Sequence, residues 1–195
     1  MSFYNIAINV IGCVLKVCML FKIKGKENIP ADGAFLLCSN HMSAMDPVLI
    51  AAGCKRQLTF MAKEELFKVF LLGHLIKALG AFPIKRGRGD AAAVMATLKI
   101  MKRGGATLIF PEGTRMKKGE RKEVSGGIIR LAIQSGVPIV PAYVTKNTVT
   151  YGKPISYDEY VENVQDADKM QALADNLMDT IYSLSQDKKL LQEVG

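Results

Sequence analysis

At 195 residues, 49% hydrophobic and 23% charged, the chain has the make-up of one globular domain with room for a real core. Its four cysteines, Cys13, Cys18, Cys38 and Cys54, form no CxxC pair and have no clustered histidines, which excludes a disulfide framework or a zinc site and fits reduced, buried thiols of a cytosolic compartment. The net charge of +8 is concentrated: Lys85 to Lys122 holds eleven Lys/Arg against Asp90, Glu112 and Glu120, so this window carries the whole excess.

Phe3 to Phe21 is nearly all apolar, and as a 19-residue helix it would reach about 28 Å, marginal for crossing a bilayer. Asn5, Asn9 and Lys16 share one narrow stripe, and Lys22, Lys24 and Lys26 follow at once. The stretch lacks an early basic region and a small-residue cleavage site, so a cleaved signal peptide is not expected. A membrane-associating helix over residues 1–22, lying in the interface with its apolar face down, fits the stripe best. A shallow span with cytoplasmic lysines and a helix packed on the rest of the chain are the alternatives.

After this helix the pattern alternates, over a single α/β domain spanning 23–195. "AFLLCSN" (34–40) reads as a buried strand, "PVLIAAG" (47–53) as a short helix opened by proline and closed by glycine, and "QLTFMA" (57–62) as a strand. Apolar residues at helical spacing predict one helix from Lys63 to Leu79, with His74 on its apolar face as a core or cleft-lining residue. "AFPI" (81–84) is a short strand, 89–103 an Ala-rich helix, "ATLIF" (106–110) a strand, and 126–135 a helix after a basic loop. "VPIVPAYV" (137–144) is a strand framed by Pro138 and Pro141, whose missing N–H groups rule out a regular ladder on their side. Residues 147–156 supply an edge strand, and 166–191 an amphipathic helix carrying Met170, Leu173, Leu177, Ile181 and Leu184. Strands alternating with helices predict an α/β fold, a mainly parallel sheet flanked by helices.

Three segments at strand ends carry chemistry. In "NHMSAMDP" (40–47), His41 stands where a strand gives way to a helix, the place where open α/β sheets gather ligands. A histidine there suits proton abstraction, and Asp46, five residues on, can fix its tautomer and steady the imidazolium. The same residues also read as a satisfied loop histidine and a helix N-cap before Pro47. "IFPEGTR" (109–115) puts Gly113, a backbone-permissive turn residue, beside Glu112, Thr114 and Arg115; it is either an anion-gripping loop or a surface turn. "FPIKRGRG" (82–89) sets Lys85, Arg86 and Arg88 beside glycines, an anion cradle or a basic turn. A basic field of this kind attracts phosphates, acidic proteins, anionic lipid headgroups or nucleic acid. No G-x-S-x-G elbow is present, so a basic His41 would act directly on a substrate hydroxyl, without a covalent enzyme intermediate.

Taken in order, "NHMSAMDP", "GAFPIKRG", "FPEGTR" (110–115) and "VPIVP" (137–141) resemble the four blocks of the glycerolipid acyltransferase family, most closely its bacterial 1-acylglycerol-3-phosphate acyltransferases. The resemblance runs from about Ile23 to Gly152. It departs at "EVSGG", where Ser125 and Gly126 stand in place of the lysines members often carry; Lys117, Lys118 or Lys122 would then supply that charge.

The resemblance implies transfer of a fatty acyl group from a thioester on coenzyme A or acyl carrier protein to the sn-2 hydroxyl of 1-acylglycerol 3-phosphate, giving phosphatidic acid. His41 is then the general base oriented by Asp46. Arg86 and Arg115 hold the acceptor phosphate, Glu112, Gly113 and Thr114 shape the substrate-binding turn, and backbone N–H groups near Pro47 steady the oxyanion. Neither a metal nor a bound cofactor is implied, nor a nucleic-acid partner; the partners are the lysophospholipid, the acidic acyl donor and an anionic membrane surface at the cytoplasmic face. The competing readings are the same chemistry on glycerol 3-phosphate or a lyso-aminolipid, and a non-enzymatic basic membrane-binding module.

Overall fold

The structure is a computed structural model. It describes residues 20–54, 56–84, 89–117, 120, 122–161 and 166–185, preceded by Tyr4, Ile8, Gly12 and Cys13. In chain order the elements are β1 (Lys22–Lys24), a 3-10 turn (Lys26–Asn28), β2 (Phe35–Ser39), α1 (Asp46–Gly53), β3 (Leu58–Lys63), α2 (Glu64–Phe67), α3 (Phe70–Ala78) and β4 (Ala81–Ile84). They continue with α4 (Gly89–Met101), β5 (Ala106–Ile109), α5 (Gly127–Ser135), β6 (Ile139–Val144), β7 (Thr148–Tyr151), α6 (Asp158–Val161) and α7 (Ala167–Ser183).

The strands form one sheet ordered β1-β7-β6-β2-β5-β3-β4. The run from β6 to β4 is parallel throughout; β7 is antiparallel to β6, and β1 lies parallel to β7. The alternating pattern predicts a mainly parallel sheet flanked by helices; the sheet is flanked by helices and mixed, through its antiparallel β6–β7 pair. Side chains on a strand point alternately to opposite faces. Accordingly Phe35 and Leu37 enter a core shared with Leu49, Ile50, Ile76 and Leu79 of α1 and the α3 region, while Leu36 and Cys38 enter a second core with Ile128, Ala132, Leu177 and Ile181 of α5 and α7. Both faces of β2 are closed, which is why the strand reads as an unbroken apolar run.

Several expectations change. The helix predicted over 63–79 is two helices, because Val69 is extended (φ −78°, ψ 116°) between them. Gly73 makes the break tight: a Cβ there would lie 2.3 Å from the Phe67 carbonyl oxygen. The rotation that follows puts His74 on the exposed side, its Nδ1 2.7 Å from the Phe70 carbonyl, so it is not a core residue. The 147–156 segment is not the edge of the sheet; β1, which no periodicity marks in so short a stretch, pairs outside β7. Pro141 sits within an internal strand. Pro138 accepts from Leu36 on the β2 side, whereas Ile139 and Pro141 face the other way, toward Ile155 and Gly152. The missing N–H of Pro141 therefore falls outside the β2 ladder, and β7 pairs only from Ala142 onward. Cys38 and Cys54 are buried thiols, with burial pushing them up to about 12 and about 11; Cys13 is exposed.

The expected N-terminal helix falls mainly outside the described residues. Tyr4 and Ile8, four positions apart, are buried in the first core, and the Tyr4 hydroxyl accepts the Leu58 N–H at 3.1 Å. Among the described residues, no helix is long and apolar enough to cross a membrane. The expected tail helix is α7; Asp166 caps it by accepting from the N–H groups of Asp168 and Lys169, and residues 186–195 lie outside the description.

The helix that carries Asp46 is held from the sheet. Tyr151 of β7 is buried and donates to the Ile50 carbonyl of α1 at 2.6 Å, and only a glycine at position 53 leaves room for that hydroxyl. Tyr151→Phe is expected to lower the unfolding free energy by about 1 kcal/mol, the size of one buried hydrogen bond, as read from the urea midpoint at unchanged m.

Candidate active site

Parallel register brings the site together. Cys38 of β2 stands opposite Ile109 of β5, so the two strands end within a residue of each other and release the 40–46 and 110–116 segments side by side. At the end of β2, buried Asn40 continues the sheet with its side chain: Nδ2 donates to the Val144 carbonyl at 3.0 Å, and Oδ1 accepts the Val144 N–H at 2.7 Å. That pair stops the strand from fraying where His41 begins. At the opposite, N-terminal end of these strands, Arg56 donates to the carbonyls of Pro30, Ala31, Gly33 and Gly104.

His41 and Asp46 meet, Nδ1 to Oδ2, at 3.0 Å. Asp46 is buried, and the same Oδ2 accepts the N–H groups of Met42 and Ser43 at 2.7 Å each. The carboxylate thus folds back over its own loop and makes no cap bond to α1, whose N-cap is Met45. The helix starts at Asp46, one residue earlier than expected, and Pro47 follows in its first turn, where its missing N–H leaves no bond unmade. A carboxylate only accepts, so Nδ1 carries the proton in neutral His41 and Nε2 carries the basic lone pair. The ring lies flat on Phe110, with centroids 4.0 Å apart and planes 18° apart. Two of its degrees of freedom are therefore set, one by the carboxylate and one by the aromatic face.

The His41 backbone is held just as firmly by the other loop. Its N–H donates to Glu112 Oε2 at 2.8 Å, and its carbonyl accepts the Met116 N–H at 2.7 Å. Glu112 is buried, and its Oε1 accepts the hydroxyl of Tyr182, near the end of α7, at 2.7 Å. Burial pushes the Glu112 carboxyl above its ordinary value, and the bonds from Tyr182 and from the His41 N–H pull it back. Lys122 reaches back to the Glu112 carbonyl at 3.3 Å, which brings an ammonium to the loop despite the absence of lysine at Ser125 and Gly126. Around Gly126 the space is instead filled by α7: Gln171 accepts the Gly126 N–H and donates to the Val124 carbonyl.

Gly113 has φ +69°, the left-handed backbone that lets the loop turn, and Gly113, Thr114 and Arg115 are exposed past the buried Glu112. Glu112, grouped by sequence with the substrate-binding residues, has both carboxylate oxygens bonded to protein groups. Arg86 lies outside the described residues, with Lys85 and Arg88. Among the described residues, no three His, Cys, Asp or Glu side chains cluster as metal ligands would. Sequence reasoning gave no role to Asn40, Phe110 or Tyr182. Asn40 and Phe110 are the first residues of two of the blocks that carry the chemistry; Tyr182 lies in the predicted tail helix but outside the apolar positions that mark it.

A family model described as Acyltransferase matches residues 20–145, well over half of the chain. The chain belongs to the acyltransferase family. This acyltransferase is 31% identical over 140 residues to the 1-acyl-sn-glycerol-3-phosphate acyltransferase of Bacillus subtilis, covering 71% of this chain and 69% of that protein. It is 34% identical over 151 residues to the enzyme of the same name from Streptococcus pneumoniae, covering 73% of this chain and 53% of that protein, so it spans about half that relative's length. Among solved structures, the 1-acyl-sn-glycerophosphate acyltransferase of Thermotoga maritima matches with a TM-score of 0.69, over 91% of this chain and 78% of that one, at 20% identity; this shows a shared fold. The family match contains His41, Asp46 and the 110–115 loop, while Tyr182 lies beyond it.

The raised Glu112 carboxyl gives a signed prediction. The folded state binds this proton more tightly than the unfolded chain, so the stability it contributes is fully present below the ordinary value of 4.5 and is lost as pH rises through the higher folded value. In Glu112→Gln that dependence is absent. Urea unfolding of both proteins across acid pH is expected to show the wild type losing stability relative to Glu112→Gln as pH rises through this window.

Proposed function

We propose that the protein transfers a fatty acyl group from a thioester to the free sn-2 hydroxyl of 1-acylglycerol 3-phosphate, with His41 as general base. The observation that carries this reading is the His41 Nδ1–Asp46 Oδ2 bond of 3.0 Å, made at a strand's end in a loop shared with the 110–115 turn. The acceptor is the one that the names of the relatives carry.

The geometry supports a direct mechanism. Nε2 of His41 takes the proton of the acceptor hydroxyl as its oxygen attacks the thioester carbonyl carbon. Asp46 steadies the imidazolium that forms, in the manner of the carboxylate of a hydrolase triad. When the tetrahedral intermediate collapses, the carbon–sulfur bond breaks and His41 returns its proton to the departing thiolate. No protein nucleophile is needed; buried Cys38 and Cys54, whose thiols are pushed far from ionisation, are unsuited to that task. Coenzyme A and acyl carrier protein are both acidic donors, suited to the basic window from Lys85 to Lys122.

In this reading Arg115, exposed two residues past Gly113, grips the acceptor phosphate together with Arg86. The lipid is met at a membrane surface. Leu66, Val69 and Phe70 are exposed (Phe70 is 80% exposed), and they come after β3, beyond the C-terminal end of the parallel strands, as His41 does after β2. Exposed apolar residues beside Lys63 and Lys68 suit the boundary between headgroup and acyl chain.

Purified His41→Ala is expected to lose 10²–10⁴-fold in kcat for lysophosphatidate acylation while keeping its far-ultraviolet circular dichroism; near-normal turnover would defeat the mechanism. Assays with coenzyme A and acyl carrier protein thioesters in parallel identify the donor. Arg115→Ala is expected to raise KM for the phosphate acceptor about ten-fold with kcat nearly unchanged, and an isolated kcat loss would remove Arg115 from phosphate binding.

A further inference from the structure

Glu112 stands between the His41 backbone and the C-terminal helix, and this arrangement extends the site beyond the segments that name the family. Its two oxygens are used separately: Oε2 accepts the His41 N–H at 2.8 Å and Oε1 accepts the Tyr182 hydroxyl at 2.7 Å. Tyr182 is buried in the second core, its ring 6.0 Å from that of Tyr143, so the hydroxyl arrives on a packed element and not on a mobile side chain. A carboxylate with fixed donors on both oxygens has one orientation available. Loss of one donor frees it to rotate or to take a proton, and either change weakens the bond that seats His41.

We propose that Tyr182 is a positioning residue for catalysis: through Glu112 it fixes the His41 backbone, and so sets the imidazole at the angle from which it removes the acceptor proton. This rests on His41 being the general base. α7 is then part of the catalytic frame, although it lies outside the matched family segment 20–145.

The proposal has a pH signature. The ionisable groups around Glu112 are Tyr182 from α7, His41 and Asp46 from the segment after β2, and Lys122 on the Glu112 carbonyl. Burial raises the Glu112 carboxyl, and the Tyr182 bond is the foremost influence holding it down. Without that hydroxyl, Glu112 takes up a proton at higher pH and no longer accepts the His41 N–H as an anion. Tyr182→Phe keeps the ring and removes only the hydroxyl, which makes it the informative substitution.

The test compares wild type, Tyr182→Phe, Glu112→Gln and the double variant, with His41→Ala as the reference for the chemistry. Tyr182→Phe is expected to lose about ten-fold in kcat with both KM values within about two-fold, as one charge-assisted hydrogen bond would produce. The acid limb of its kcat profile moves to higher pH, and the kcat effects of Tyr182→Phe and Glu112→Gln are far from additive. An activity-independent reading comes from 13C-labelled glutamate, in which the Glu112 carboxyl titrates at higher pH in Tyr182→Phe while the His41 backbone amide shifts. Unchanged kcat, additive effects, or an unmoved Glu112 titration would each overturn the proposal. Wild-type turnover equal to that of His41→Ala would instead overturn the general-base reading, with the Glu112 titration still deciding whether Tyr182 holds the carboxylate.

Discussion

A carboxylate taken out of water must have its charge answered by fixed donors, and in this fold the answering groups of Glu112 come from parts of the chain far apart in sequence. The His41 N–H lies 71 residues before it and the Tyr182 hydroxyl 70 residues after it. The cost of burying the charge makes the arrangement cooperative: the loop after β2 and helix α7 each supply a donor to the two oxygens that the loop after β5 carries. Such a junction makes a site rigid without adding a reacting group to it. The exposed lysine–carboxylate pairs of the surface, such as Lys68 with Glu64 and Lys169 with Asp166, join near neighbours on one segment and contribute little by comparison.

The histidine is then constrained at three points by three kinds of force. Its backbone is fixed by Glu112 and the Met116 N–H, its Nδ1 by Asp46, and its ring face by Phe110. In its proposed role as general base, His41 needs a single tautomer and a single direction of approach. Asp46 suits that role by accepting two further N–H bonds from its own loop, which hold its carboxylate where the ring finds it. Behind that loop, Asn40 ties β2 to β6, and Tyr151 ties α1 to β7. The polar side chains of Asn40, Glu112 and Tyr151, all buried, are thus bonded to other protein groups.

Much of the fold was legible in the residues because its signals are local. Apolar runs gave β2, β3, β5 and β6; Pro47 and Gly53 bracketed α1; and helical spacing marked α7. The misreadings share a cause. One helix is expected over 63–79 because Leu66, Phe67 and Phe70 fit one period, but the extended backbone at Val69 divides it, and the close approach of Gly73 to the Phe67 carbonyl is a backbone contact that no period marks. His74 inherited its buried assignment from that same period. Strand β1 is three residues long, too short for a pattern, and exists because β7 offers an open edge.

By itself, the sequence determined the alternation of strands and helices, the loops that carry chemistry, and the spacing that lets Asp46 reach His41, because each depends on residues within a few positions of one another. It left open whether Asp46 caps a helix or holds an imidazole, and it could not join Tyr182 to Glu112. The tertiary structure decided both. Which donors surround a buried carboxylate depends on parallel register and helix packing, and these bring together groups that no local periodicity relates.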